Sequence, residues 1–348
     1  MNPLVLSILI LSLGLGTTIT FIGSHWLLIW MGLEINTMAI VPLMIQQQHP
    51  RAVEATTKYF LVQTSASMLL LFAGTTNAWT TGQWNITEMM NPLSATLITT
   101  ALALKIGLAP MHFWLPEVLQ GLDLITGLIL STWQKLAPFA ILLQLNHLLN
   151  SNLLNLFGIL SIIMGGWGGL NQTQLRKILA YSSIAHLGWM IIILHYAPNL
   201  TMLNLILYII MTTSLFLLFN TLNSTKINSI ASSTTKSPML TIITLTTLLS
   251  LGGLPPLTGF MPKWLILQEM TKQNLMTLTI TMALATLLSL FFYLRLCYIT
   301  TLTLSPNPIT LMSTWRTKTT QPNLTLTITT SISLLLLPLT PSMLMLTT

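Results

Sequence analysis

Residues 102–118 read LALKIGLAPMHFWLPEV, a lysine in the middle of an apolar run with a glycine and two prolines close behind it. A charge at the centre of a bilayer costs about 2.5–3.5 kcal/mol on insertion scales, and proline inside a helix costs about 3 kcal/mol or more. The same order of residues recurs further on. GLAPMHFWLPE (107–117) aligns with GLPPLTGFMPK (253–263): glycine, leucine and two prolines coincide at 107/253, 108/254, 110/256 and 116/262, Trp114 opposes Phe260, and Leu115 opposes Met261. The glycine and the two prolines, repeated in order, point to a pair of discontinuous helices.

Composition sets the medium. Of 348 residues, 53% are hydrophobic and only 5% are charged, whereas a soluble domain carries roughly 25% charge. The chain is therefore read as an integral membrane protein. A net charge of +7 suggests nucleic acid in a soluble protein, but here a bias among loops accounts for it and no nucleic-acid partner is expected. The single cysteine, Cys297, excludes a disulfide framework and a cysteine-only metal site. No two histidines have helical ligand spacing with a carboxylate, so no metal is expected. GGWGGL (165–170) lacks the Lys-Ser/Thr of a phosphate loop, and its glycines suit close helix packing. The first segment has no basic n-region and is long for a signal peptide, so it reads as a span.

About twenty apolar residues cross the hydrocarbon. By that measure eleven spans lie near 3–22, 25–45, 57–76, 93–121, 125–145, 151–170, 174–194, 199–222, 240–270, 276–298 and 323–346. The fourth and ninth are too long for one straight crossing, and both contain the repeated prolines. With an odd number of spans, one side collects Arg51, Lys58, Arg176, Lys177, Lys226, Lys236, Arg295, Arg316 and Lys318, and the other holds only Lys272. That asymmetry places the basic side, with the N-terminus, on the cytoplasmic or equivalent face. The fourth and ninth spans then run in opposite directions, which makes the repeat an inverted one, an architecture associated with transporters. The expected fold is an all-α polytopic membrane protein of about eleven transmembrane helices, with an inverted repeat and two discontinuous helices. It forms a single membrane domain, 1–348, with repeat halves 1–145 and 151–298 and a C-terminal transmembrane helix 323–346.

Four ionisable residues sit deep in apolar runs: Glu34 in LLIWMGLEINTMAI, Lys105 in TALALKIGLAP, Lys135 in LSTWQKLAPFA and Lys263 in GFMPKWLILQE. A structural ion pair between Glu34 and one lysine is the plain alternative, but three lysines cannot all be neutralised by one acid. The functional reading is a proton path. Desolvation disfavours a buried ammonium and a nearby carboxylate favours it, so such a set is poised between protonation states. His112 and His186 are candidate relays near neutral pH. Glu117 and Asp123 flank a helix end, where a channel mouth and simple capping are equally open.

At these residues the chain resembles the antiporter-like membrane subunits of respiratory complex I, which are similar to cation/proton antiporter subunits. The resemblance is carried by KIGLAPMHFWLPEV, RKILAYSSIAHLGWM and LSLGGLPPLTGFMPKW and extends over essentially the whole chain. It implies that Glu34 matches the family's essential acid, and that Lys105, Lys135 and Lys263 match its proton-path lysines. It further implies a chain with no redox centre or cofactor of its own, acting as one subunit of an NADH:ubiquinone reductase. The implied partners are the other membrane-arm subunits and phospholipids, with no soluble substrate bound directly. Family members typically have fourteen spans, so this chain is expected to lack the first three, a shortening seen in animal members. The Leu/Thr/Met bias resembles a mitochondrially encoded protein, which implies the inner membrane, the N-terminus in the matrix and the C-terminus in the intermembrane space. An autonomous cation/proton antiporter would work after reconstitution alone, and a purely structural scaffold would tolerate loss of Lys105.

Overall fold

The structure, a computed structural model, describes residues 2–46, 48–88, 91–234, 237–302 and 324–347. Lys236, Arg316 and Lys318 of the basic set lie outside these. The described residues are helical apart from turns and two isolated bridges, His25 with Asn85 and Gln174 with Lys226. In order the helices are α1 (Pro3–Ile22), α2 (Trp26–Met44), α3 (Pro50–Thr81), α4 (Pro92–Ile106), α5 (Trp114–Gly121), α6 (Leu124–Ser131), α7 (Trp133–Gln144), α8 (Ser151–Gly169) and α9 (Leu175–Leu194). They continue with α10 (Pro198–Thr221), α11 (Ile227–Ser233), α12 (Pro238–Gly252), α13 (Phe260–Lys272), α14 (Met276–Leu302), α15 (Leu324–Leu335) and α16 (Thr340–Thr347).

Many of these helices begin on a polar residue followed by proline. Asn2, His49 and Asn91 each accept a hydrogen bond from the backbone N–H two residues on, ahead of Pro3, Pro50 and Pro92. Proline at the first helical position forfeits a donor that would be unpaired anyway. Inside the helices, hydroxyls are satisfied by the carbonyl one turn back. In α12 a buried ladder runs Thr244 to Thr241 (2.7 Å), Thr247 to Thr244 (3.0 Å) and Ser250 to Thr247 (2.7 Å). This back-bonding explains how so threonine-rich a chain meets the demand that polar groups in lipid find partners internally.

Eight helical segments are long and apolar enough to cross a membrane. The bent pair after Leu324 makes a ninth among the described residues, and the shorter apolar helices α4 and α12 bring the candidate crossings to eleven. At about 1.5 Å per residue, the 15 residues of α4 or α12 reach only about 22 Å, short of the roughly 30 Å hydrocarbon core. Each is completed by the helix that follows its break.

Two further interruptions depart from the spans expected of the sequence. The fifth span is divided at Thr132 into α6 and α7, and within α7 Pro138 leaves the Gln134 carbonyl without its helical donor. The last span, expected as one helix over 323–346, bends by 68° after Leu335, where a 3₁₀ turn containing Pro338 intervenes.

The chain divides into two compact units, residues 1–161 with 194–198 and residues 162–193 with 199–348. In the first, α1 and α2 approach backbone to backbone: a Cβ on Gly32 would lie 2.9 Å from the Gly16 carbonyl. In the second, the glycines of GGWGGL serve two neighbours at once. Gly165 and Gly168 abut α9 at Tyr181 and Ala185, while Gly166 and Gly169 abut α14 at Ala285, Leu288 and Phe292. Trp167 between them faces outward.

A Cβ at Gly165 would sit 2.7 Å from the Ala185 nitrogen and 2.9 Å from the Tyr181 carbonyl, backbone atoms that cannot swing aside. Gly165→Ala should therefore destabilise this unit by about 1–3 kcal/mol, the range for overpacking. Gly14→Ala, where nothing lies within 4 Å, should leave stability unchanged. Thermal unfolding of the two variants, alongside the amount of assembled protein, checks this.

Candidate functional site

The two breaks are built alike. At a constant offset of 146 residues, α4 and α12 both start on proline, and α5 and α13 start on Trp114 and Phe260. The break runs over 107–113 in one copy and 253–259 in the other, somewhat wider than the prolines alone suggest. Each first half-helix ends on a left-handed glycine, Gly107 at φ 85° and Gly253 at φ 82°. The amide of the next residue then bonds back across the turn, Leu108 to Ala103 at 2.9 Å and Leu254 to Leu249 at 3.4 Å, the Schellman arrangement. The second proline of each copy falls in the first turn of the following half-helix, where no helical donor is needed.

The remaining carbonyls are met differently. In the first copy two neutral side chains cap α4: Trp114 Nε1 donates to Leu104 O at 3.1 Å, and Gln63 Nε2 of α3 to Lys105 O at 3.3 Å. In the second copy Lys263 caps α12, its Nζ donating to Gly252 O at 2.8 Å and less closely to Leu251 O at 3.5 Å.

Lys105, on the last turn of α4, thus has its carbonyl satisfied while its amine is left over. Its side chain is 6% exposed and the Nζ has no hydrogen-bond partner. It lines a small cavity, about 20 Å³ of water-sized space, with Asn36 and Thr37 of α2, Tyr59 and Gln63 of α3, and Gln134 and Lys135 of α7. Lys135, 5% exposed, stands on the first turn of α7 beside the break at Thr132. The structure brings these two sequence-identified lysines into one cavity. Glu34 is half-buried on α2 and not within ion-pair distance of Lys105. Its neighbour Thr37 donates to its Oε2 at 3.2 Å and lines the cavity.

His112 is buried in the first break, its ring 4.4 Å from that of Phe113, and does not line the cavity. Lys263 and His186 belong to the second unit; His186 is buried on α9, 5.7 Å from the Tyr208 ring. Glu117 lies in the first turn of α5, where the helix dipole favours an anion, and Lys58 joins it to Glu54, both at 2.8 Å. Asp123 holds the N-cap position of α6. Among the described residues no cluster of three or more His, Cys, Asp or Glu could hold a metal. Sequence reasoning missed the amides Asn36, Gln63 and Gln134, because it weighed only titratable groups. Their signal was present, since an uncharged amide in an apolar span also needs a partner.

Comparison with known proteins identifies the family and the fold. The family model NADH:quinone oxidoreductase/Mrp antiporter, TM matches residues 23–289, and NADH dehydrogenase subunit 2 C-terminus matches residues 290–344. The NADH-ubiquinone oxidoreductase chain 2 of Squalus acanthias is 76% identical over 347 residues, and that of Scyliorhinus canicula 74% over 348, each match covering 100% of both chains. A chain of respiratory complex I from Thermus thermophilus superposes with a TM-score of 0.80 at 26% identity, covering 95% of this chain and 78% of that one. The chain belongs to the NADH-ubiquinone oxidoreductase chain 2 family.

The different capping of the two breaks separates two lysines that look alike in sequence. Lys263→Met should strip the buried Gly252 carbonyl of its donor and lower stability by about 1–3 kcal/mol. Lys105→Met has no hydrogen bond to lose and should leave the melting temperature of the assembled protein at or above the wild-type value.

Proposed function

We propose that this chain is a proton-translocating core membrane subunit of respiratory complex I, in which NADH oxidation and ubiquinone reduction elsewhere drive proton transfer through Glu34, Lys105, Lys135 and Lys263. The observation that carries the reading is the pair of buried lysines, Lys105 and Lys135, lining one polar cavity beside a helix break, the first with an amine that no protein group holds. The Lys263 amine is engaged in capping α12, whereas the Lys105 amine keeps its donors free in an apolar slab, at an insertion cost that a change of protonation state during turnover would explain. His112 and His186 are candidate relays, each buried beside its own stretch of the path. The chain contributes no cofactor or redox centre, binds no nucleic acid and no soluble substrate directly, and sits among other membrane-arm subunits and phospholipids. It lies in the mitochondrial inner membrane, with its N-terminus in the matrix and its C-terminus in the intermembrane space.

Lys105→Met keeps much of the side-chain volume and removes the titrating group. In membrane vesicles containing the assembled complex it should reduce proton transfer at this step by roughly 10²–10⁴-fold, the worth of a positioned acid–base group, with assembly retained. Glu34→Gln should lower coupled quinone reduction in the same preparations. Undiminished pumping in the Lys105 variant would make the lysine structural and favour the scaffold. The orientation has its own check. Protease should reach the Asn223–Lys226 turn only from the matrix face, and cleavage from the outer face of intact mitoplasts would reverse the topology.

A further inference from the structure

We propose that Asn36 is a positioning residue for proton transfer at Lys105: its carboxamide and the lysine amine hold water in common, and protons reach and leave Lys105 through that water. The inference rests on the reading that Lys105 titrates during turnover.

Asn36 is 2% exposed, and neither its Nδ2 nor its Oδ1 has a hydrogen-bond partner. It lines the same cavity as Lys105, whose Nζ is likewise buried and unpartnered. The two side chains do not bond to each other, yet each buried polar atom left unmet costs about 1–3 kcal/mol. A polar cavity whose wall supplies several such atoms is where internal water is held, and a water between them meets both.

The chemistry of the amide suits that task. A carboxamide both donates and accepts, so it orients a water in either direction. It does not titrate near neutral pH, so it does not compete for the proton it helps to pass. In the transfer an N–H bond of the Lys105 ammonium breaks as an O–H bond forms on the water. The excess proton moves on along hydrogen-bonded water and leaves the neutral amine; the reverse sequence reloads it.

The fold fixes the amide in place. Gly16 on α1 packs against it, and a Cβ there would collide with the Asn36 Oδ1. Gln134 of α7 donates to the Asn36 backbone carbonyl at 3.4 Å. One residue on, Thr37 touches the Glu34 carboxylate and lines the same cavity, so α2 carries the acid and the water-holding amide within one turn.

The test compares Asn36→Leu and Asn36→Ser in vesicles containing the assembled complex, with Lys105→Met alongside. Leucine keeps the branched shape at somewhat greater bulk and loses the polarity, and the rate of proton pumping should fall about 10²-fold, the low end for loss of a positioned proton-transfer group. Serine, even with its proton bonded one turn back, keeps an oxygen that accepts from water and leaves room for another water, and should restore pumping to within a few-fold of wild type. Normal pumping in the leucine variant overturns the proposal. So does a serine variant no better than leucine, because a packing role against Gly16 would make the smaller residue the more harmful. Loss of pumping in Lys105→Met with no effect of Asn36→Leu refutes Asn36 alone, whereas normal pumping in Lys105→Met refutes the underlying reading. If the leucine variant does not assemble, a water-resolving map of the wild-type complex decides. A water within hydrogen-bond reach of both Lys105 Nζ and the Asn36 amide sustains the proposal, and its absence overturns it.

Discussion

A helix that ends inside an apolar slab exposes its last carbonyls where no bulk water can meet them, and everything distinctive about this chain follows from how they are met. The last turn of α4 hands its carbonyls to the backbone of Gly107 and Leu108, to the Trp114 indole and to the Gln63 amide. The last turn of α12 uses the backbone of Gly253 and Leu254, then the amine of Lys263. Leaving one such carbonyl bare costs on the order of 1–3 kcal/mol, so neither solution is ornamental. The neutral caps of the first break are what release the Lys105 amine from structural duty, and the glycine geometry shared by both breaks is what lets the chain stop there at all.

The same bookkeeping shows that the two copies have diverged in role. With the offset of 146, Lys105 stands opposite Leu251 and Glu117 opposite Lys263. In the second copy the basic residue lies beyond the break and reaches back over Gly253, close enough that any side chain on that glycine would displace it. In the first, Trp114 and Leu115 lie over the equivalent Gly107, and the residue beyond the break is an acid that turns away to Lys58 on α3. Backbone architecture is repeated; the placement of charge is not. A charge that caps a helix and a charge that faces a cavity obey the same desolvation physics, and only the partner tells them apart.

This is also where the sequence stopped being informative. The pairing of Gly107 with Gly253 and of the four prolines was legible because glycine at positive φ and proline without a donor are local requirements written in single residues. So were most of the spans, since about twenty apolar residues are needed to cross. The division at Thr132 was hidden, because no glycine marks it and Pro138 lies six residues downstream. The bend after Leu335 carried a visible proline, Pro338, which was read through as part of one apolar run. For the site, composition singled out Lys105 and Lys135 as costly. That Trp114 and Gln63 release one of them is a contact between elements far apart in the chain, which no periodicity encodes.

The length of a polar side chain decides whether it belongs to its own helix or to the site. Buried serines and threonines reach the carbonyl one turn back, as Thr244, Thr247, Ser250 and Ser183 all do, so each closes its own account within one helix. A carboxamide at Asn36 or an amine at Lys105 extends away from its own backbone and must be met from elsewhere. Polar groups of that kind gather where helices break, because broken turns and water can both meet them, and the cavity bounded by α2, α3, α4 and α7 collects them. By this logic an asparagine is as informative as a lysine about where protons travel. A reading by charge alone passes over it, whereas the membrane penalises every group that needs a hydrogen bond.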